Sequence, residues 1–250
     1  WAAQLWAQGS ELWDMDLEKL AQLEINASTQ TYTPAHLSPA VITTINASEI
    51  KAYGYRDLAE VLNHVAGFTD NYDLATHNFG VRGINAGSRA GSRIIKFMID
   101  GQPVSFRASS QNFIGPELIA LELVKYIEIV RGPLSALYGA DAFLGVVNIV
   151  TRSAGDFSAG GDLSAFYRDY DHAGEGSGLS LAGGFSWQGW DLVVGANIEQ
   201  HDRGGISLPQ LSPDYSFYAD DSNDRQLTPK DDESDPASFY FRAQTNVEDS

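Results

Sequence analysis

Between residues 179 and 199 the chain alternates with a two-residue period, and the phase flips once. In Leu179-Ser180-Leu181-Ala182-Gly183-Gly184-Phe185-Ser186-Trp187 the odd positions are mainly apolar. In Trp190-Asp191-Leu192-Val193-Val194-Gly195-Ala196-Asn197-Ile198-Glu199 the apolar set moves to the even positions. Side chains alternate across a strand, so each run has one apolar face and one small or polar face. The flip at Gln188-Gly189 reads as a β-hairpin with a two-residue turn. Phe239-Tyr240-Phe241-Arg242-Ala243-Gln244-Thr245-Asn246-Val247 alternates likewise, and residues 162–170 form a less regular fourth run. Each run has about the 9–11 residues that a tilted membrane strand needs. The connections are unequal, two residues at Gln188-Gly189 against roughly thirty from Asp202 to Pro236, as in barrels with short periplasmic turns and long external loops. A soluble β-sandwich with one wet face gives the same alternation, so periodicity leaves both architectures open. Tyr167, Tyr170, Trp187 and Trp190, near the run ends, suit an interfacial girdle or a core.

No run of roughly 18 apolar residues is present, so a membrane location requires a β-barrel rather than a helix. The 24 glycines and 11% aromatic content favour turns, bulges and strands over helical bundles. Cysteine is absent, which excludes a disulfide framework and any thiolate nucleophile or metal ligand. Trp1 opens the sequence with neither a basic segment nor an apolar stretch, which suits a mature exported chain. The formal charge of -17 is uneven: residues 1–40 hold five acids and one base, residues 41–152 ten of each, and residues 153–250 eighteen acids and five bases. That balance disfavours nucleic acid as a partner, because phosphate binding needs a basic face.

Upstream of the alternating runs the organisation differs. Leu12, Met15, Leu20 and Leu23 are spaced roughly as one face of a short helix, and residues 23–29 with Pro34 and Pro39 read as an extended tether. Val41-Ile42-Thr43-Thr44-Ile45 reads as a strand, and Ser48 opens a segment with Glu49, Ile50 and Tyr53. Residues 56–64 are helical by Leu58, Val61, Leu62 and Val65, with Gly67 as the stop. Strands are expected at 94–99 and 126–130. Residues 41–152 then form a compact α+β domain, between an N-terminal segment of 1–40 and the strands of 153–250. Gly83, Gly101, Gly132, Gly139 and Gly145 stand where the chain must turn or let backbones approach. Arg82 and Arg131 lie beside apolar strand residues, so they are expected to be part-buried and paired, with Asp100 and Glu128 as candidate carboxylates.

The stretch Ile127-Glu128-Ile129-Val130-Arg131-Gly132-Pro133-Leu134-Ser135-Ala136-Leu137-Tyr138-Gly139, continuing to Gly145-Val146-Val147-Asn148-Ile149-Val150-Thr151-Arg152, resembles the plug of TonB-dependent outer-membrane receptors. Val81-Arg82-Gly83-Ile84-Asn85 and Phe97-Met98-Ile99-Asp100-Gly101-Gln102-Pro103-Val104 extend the resemblance upstream in the right order. Ile45-Asn46-Ala47-Ser48-Glu49-Ile50, with residues 58–67, looks like the plug's opening strand and helix. The resemblance implies a plug over residues 41–152 and a transmembrane β-barrel of about 22 strands, of which about four are present here. It implies active transport across the bacterial outer membrane without chemistry on the substrate, with plug and N-terminus toward the periplasm. The implied partners are the TonB periplasmic domain, outer-membrane lipid and an extracellular small-molecule ligand. Siderophore, haem, cobalamin, other metal chelates and sugars all remain open as substrates. The alternative is a plug-like structural or adaptor subunit whose barrel is completed by another polypeptide, because about four strands cannot enclose such a plug.

The family's motif falls on Arg82, Gly83, Asp100, Gly101, Arg131, Gly132, Pro133, Tyr138, Gly139 and Asn148. Plug arginines are implied to lock against barrel-wall carboxylates, with an intra-plug salt bridge as the alternative for Arg131. A TonB box, which binds TonB by adding a strand, falls nearest to Leu23, Glu24, Ile25, Asn26 and Ala27, where a plain linker is the other reading. The family's apical loops correspond to residues 70–79 and 105–115, which offer Asp73, His77, Arg107, Gln111 and Phe113 to a ligand. Asp220-Asp221-Ser222-Asn223-Asp224 places Asp220 and Asp224 as possible Ca2+ ligands, although no glycine follows at the EF-hand position and a solvated acidic loop fits as well. No cofactor is required. The histidines lack metal-ligand spacing, residues 83–91 lack the Walker lysine, and no nucleophile motif is present, so an enzyme is not expected.

Overall fold

The computed structural model describes residues 24–25, 33–34, 41–72, 77–85, 94–104, 113–139, 141–157, 160–170, 174–202 and 233–245. An α+β domain is followed by long antiparallel strands. The chain packs as two units that do not follow chain order. The first is Trp1–Tyr53, Val61–Phe113 and Lys125–Thr151, and the second is Gly54–Glu60, Ile114–Val124 and Arg152–Ser250.

The N-terminal strands β1 (Glu24–Ile25) and β2 (Thr33–Pro34) form an antiparallel pair. Next come β3 (Val41–Asn46), α1 (Ala47–Tyr53) and α2 (Leu58–Asn63). Asn46 caps α1, whose first residue is Ala47 rather than Ser48: Glu49 N donates to Asn46 Oδ1 at 3.0 Å, and Asn46 N donates back to Glu49 Oε2 at 2.9 Å. This reciprocal cap satisfies two of the N–H groups that a helix start leaves open. Asp57 caps α2 by accepting from Glu60 N at 2.8 Å, so that helix is shorter than its apolar spacing suggests. Gly67, at φ +88, turns the chain after the helix has ended and leads into β4 (Phe68–Asp70), which pairs antiparallel with β5 (Phe79–Val81).

The main sheet adds β6 (Ile95–Ile99), β7 (Gln102–Pro103), β8 (Val124–Arg131) and β9 (Gly145–Thr151), in the order β3-β8-β9-β6-β7. Its central strands are covered on both faces: Ile127, Ile129, Val130, Val146, Val147 and Ile149 are all buried. Between β8 and β9 the one-turn helix α3 (Ser135–Tyr138) closes over Val130, Leu134, Ala142 and Val146.

Three tight turns share one backbone geometry. Arg82-Gly83, Asp100-Gly101 and Gln188-Gly189 all have positive φ at both positions. This is the mirror-image turn whose twist suits a hairpin, and only Asp100-Gly101 uses a dipeptide it favours. Gln188-Gly189 joins β11 (Gly174–Trp187) to β12 (Trp190–Asp202), bringing Trp187 opposite Trp190 as the phase flip requires.

In the second unit β10 (Gly161–Tyr170) pairs with β11, β11 with β12, and β12 with both β13 (Glu233–Ser234) and β14 (Ala237–Thr245), all antiparallel. β11 and β12 extend over 14 and 13 residues, beyond the clean alternation. Among the described strands β10 and β14 each have one partner side, so the sheet is open and not a closed barrel.

The glycines separate two kinds of constraint. Gly101→Ala should cost about 1–2 kcal/mol through its positive φ alone, because a Cβ there meets nothing within 4 Å. Gly145→Ala should cost about 3 kcal/mol or more, because its Cβ would lie 2.6 Å from the Val130 carbonyl oxygen. The shift in denaturant midpoint of each variant is the check, and equal shifts would contradict the distinction.

Candidate functional site

Register sorts the second unit's side chains onto two chemically different faces. One row runs Leu163, Leu181, Ala196, Phe239, and the next pairs Leu179 with Ile198. On this face Leu163, Ile198 and Phe239 are 72%, 64% and 77% exposed, and Phe185, Trp187 and Trp190 stay exposed near the short turn. The opposite face is polar, and there Asn197 and Glu199 are 3% and 4% exposed. Monomeric soluble domains rarely leave an apolar surface of that continuity open to water.

Residues 54–60 and 114–124 pack against the polar face within the same unit. A 3-10 turn at Leu121–Leu123 directs Glu122 to accept hydrogen bonds from Ser164 Oγ on β10 and Ser180 Oγ on β11. Leu123 fills the place of a missing side chain at Gly195, where a Cβ would stand 2.3 Å from Leu123 Cδ1. Asn197 Nδ2 donates to the Pro116 carbonyl at 3.2 Å. Arg152 gathers the strand starts: its guanidinium donates to Asp162 Oδ2 at 2.5 Å and to the carbonyls of Glu122 and Asp156 at 3.0 and 2.7 Å, and lies 4.1 Å from the Phe157 ring centroid. None of Glu122, Arg152, Asp162, Ser164 and Ser180 was singled out from sequence as a site. Arg152 closes the recognised stretch and Asp162 falls on the polar phase of its run, which are usable signals. Glu122 has no local signal, because its partners are distant in the chain.

In the first unit the motif residues serve one another. Asp100 accepts from Thr151 N at 2.8 Å and Thr151 Oγ1 at 2.7 Å, and Gly101 N donates to Asn148 Oδ1 at 2.9 Å. Asn148 Nδ2 donates to Glu128 Oε2 at 2.9 Å, with both side chains buried. Asp100 and Glu128 are therefore not the partners expected for the arginines. Arg131 donates instead to the Ala66 carbonyl at 2.6 Å and to Thr43 Oγ1 at 2.7 Å, and its Nε is buried without an acceptor among the described residues. Burial demands a polar partner for each N–H, and neutral oxygens meet that demand without a second charge. Arg82, expected part-buried, is exposed in its turn beside Gly83. Gly132 and Gly139 both take positive φ, Gly139 N ending α3 on the Ser135 carbonyl at 2.9 Å, and Pro133 between them is exposed.

The remaining candidates divide by position. Glu24 and Ile25 are paired with Pro34 and Thr33, whereas Leu23, Asn26 and Ala27 lie outside the described residues. His77 Nδ1 lies 2.6 Å from Asp70 Oδ2, and its ring stacks on Tyr72 with centroids 4.4 Å apart. Phe113 is half-buried. Asp73, Arg107, Gln111, Asp220 and Asp224 lie outside the described residues.

Residues 34–146 match the family described as TonB-dependent Receptor Plug Domain. Residues 34–146 thus form a plug domain of the TonB-dependent receptor type, followed by antiparallel strands. Over 120 residues it is 34% identical to the "Iron-regulated outer membrane virulence protein" of Vibrio cholerae, covering 46% of this chain and 18% of that protein. Over 164 residues it is 34% identical to the "Vitamin B12 transporter BtuB" of Photobacterium profundum, covering 62% of this chain and 24% of that one. The chain thus spans about a fifth to a quarter of these curated relatives. P. aeruginosa FpvA, solved bound to heterologous pyoverdines, shares the fold at a TM-score of 0.54 and 17% identity, over 89% of this chain and 34% of that one.

Two outcomes follow for the plug. Arg131→Met should lower stability by about 2 kcal/mol by leaving the Ala66 carbonyl and Thr43 hydroxyl without their donor, with hydrogen exchange rising at 41–46 and 64–67. Unchanged protection there would show the contact to be idle. Burial, and then the nearby Glu128 charge, raise the Tyr138 phenol above its usual 10.0. The folded plug therefore holds that proton more tightly than the unfolded chain, so the contribution is complete below about pH 10 and is lost as pH rises through the raised value. Denaturant unfolding at about pH 9 and pH 11.5 should show a smaller alkaline loss in Tyr138→Phe than in the parent.

Proposed function

We propose that this chain forms the plug and first wall strands of an outer-membrane active transporter for a scarce small-molecule nutrient of the iron-chelate or cobalamin class. The observation that carries the reading is the pair of faces on β10, β11, β12 and β14. A sheet apolar on one side and polar on the other suits a wall between lipid and a filled lumen, where every backbone group must find a partner within the protein. A plug that follows the tether and precedes the wall suits a gate worked from the periplasm, with TonB adding a strand at residues 23–27. His77 and Phe113, with Asp73, Arg107 and Gln111, are the proposed ligand contacts. Arg131, whose Nε has no acceptor among the described residues, is the proposed donor for a wall carboxylate. Asp220 and Asp224 are kept as a proposed Ca2+ pair.

The open edges of β10 and β14 require further strands, from the same polypeptide or another, and intact mass of the purified protein separates these. The transport reading is tested in cells expressing the whole receptor, supplied with radiolabelled cyanocobalamin or ferric enterobactin, with and without TonB. Accumulation of one probe that falls at least about tenfold without TonB is expected, and Ile25→Pro should abolish accumulation while leaving surface binding of that probe intact. Accumulation indifferent to TonB would refute the reading, and uptake preserved in Ile25→Pro would refute the placement of the TonB contact.

A further inference from the structure

The polar face of the second unit carries a relay of side chains that the transport reading does not use. Arg168 on β10, Gly176 on β11 and His201 on β12 share one register row. Because Gly176 has no side chain, the guanidinium and the imidazole meet directly above it: a Cβ there would stand 2.8 Å from His201 Nδ1 and 3.0 Å from Arg168 Nε. Arg168 Nη2 lies 2.9 Å from His201 Nδ1, and His201 Nε2 lies 2.8 Å from Glu199 Oε2. Glu199 is buried, and its other oxygen accepts from Asn197 Nδ2 at 3.0 Å.

A guanidinium only donates, so Nδ1 of His201 must accept. The ring is then neutral and carries its proton on Nε2, which donates to Glu199. We propose that Arg168, His201 and Glu199 form a proton-operated tie between β10 and β12, closed while His201 is neutral and opened by one proton on Nδ1. That proton sets two donors and two cations face to face at Nδ1. The bond from Nε2 to Glu199 survives it and becomes an ion pair. The link that breaks is therefore the one to Arg168, whose guanidinium already lies 5.4 Å from the Phe166 ring centroid and keeps that contact when the link opens. The other charged groups nearby are Arg56, 5.2 Å from the same ring and paired with Glu60, and Asp202 and Glu233, register partners one residue beyond His201. Arg56 opposes an added cation while Glu199, Asp202 and Glu233 favour one, so the response rests on donor geometry rather than on net charge.

The test is hydrogen exchange on the whole receptor in outer-membrane vesicles at about pH 8 and pH 5.5, corrected for the intrinsic rate. Protection at residues 174–178 and 199–202 should fall about tenfold on acidification, with residues 185–192 at the short turn unchanged. Arg168→Gln supplies an amide that accepts as well as donates, meets either state of the ring, and should remove the pH step; His201→Gln should remove it too. Wild-type protection that ignores pH, or a step that persists in Arg168→Gln, overturns the proposal. Should neither variant assemble, the ring-nitrogen resonances of wild-type His201 decide, since a protonated Nδ1 at pH 8 overturns the tie and an unprotonated one supports it. No transport is measured, so the transport reading stands or falls separately.

Discussion

The second unit depends on one strand presenting almost no side chain to its polar face. On that face β11 carries Gly176, Gly178, Ser180, Ala182, Gly184 and Ser186. Cβ atoms at Gly178 and Gly184 would stand 2.4 Å from the Phe166 ring and 2.8 Å from Ala154 Cα. The residues flanking this floor therefore fold inward over it. Arg168 reaches His201, and Ser164 and Ser180 reach the same carboxylate on Glu122. Larger side chains on β11 would hold those groups apart, and the polar face would have to satisfy its buried donors with water.

The same strand cannot be small on both faces and remain in place. Its other side supplies Leu179, Leu181, Phe185 and Trp187, all exposed. In water such a band is a liability for aggregation; against hydrocarbon it is a favourable surface, with the two tryptophans of the Trp187–Trp190 pair close to the turn, where an interface would lie. One strand thus does two jobs by alternation, and a one-residue slip of register would reverse both.

That is why the hairpin was legible in the sequence and its surroundings were not. Alternation across Gln188-Gly189 is enforced by two faces of different chemistry, so it is written in residue type. The upper part of β11 was missed because Gly174, Gly176 and Gly178 erase the pattern that hydrophobic periodicity detects. Ser48 reads as the opening of the segment that becomes α1, yet Asn46 and Glu49 exchange the capping hydrogen bonds, and choosing between neighbouring start residues takes backbone geometry. The plug was legible as a family, through phrases of turn glycines and β-branched strands. Its contacts were not, because Glu128 to Asn148 and Arg131 to Ala66 join residues far apart in the chain.

The arginines show where reasoning from charge alone fails. Arg82 and Arg131 are expected from sequence to pair with carboxylates, but Arg82 is exposed and Arg131 is held by a carbonyl and a hydroxyl; elsewhere Arg168 bonds an imidazole, and Arg152 reaches two carbonyls besides Asp162. Five donors in a fixed fork are more easily met by backbone oxygens than by one anion. A guanidinium held this way ties several segments together through its donors rather than through a single ion pair. The neutral count of residues 41–152 therefore describes that segment's net charge and not its local field. At Arg131 no carboxylate among the described residues takes up the positive charge. At Arg168 it falls on a histidine, the residue whose acceptor becomes a donor on gaining a proton, and that makes the tie conditional.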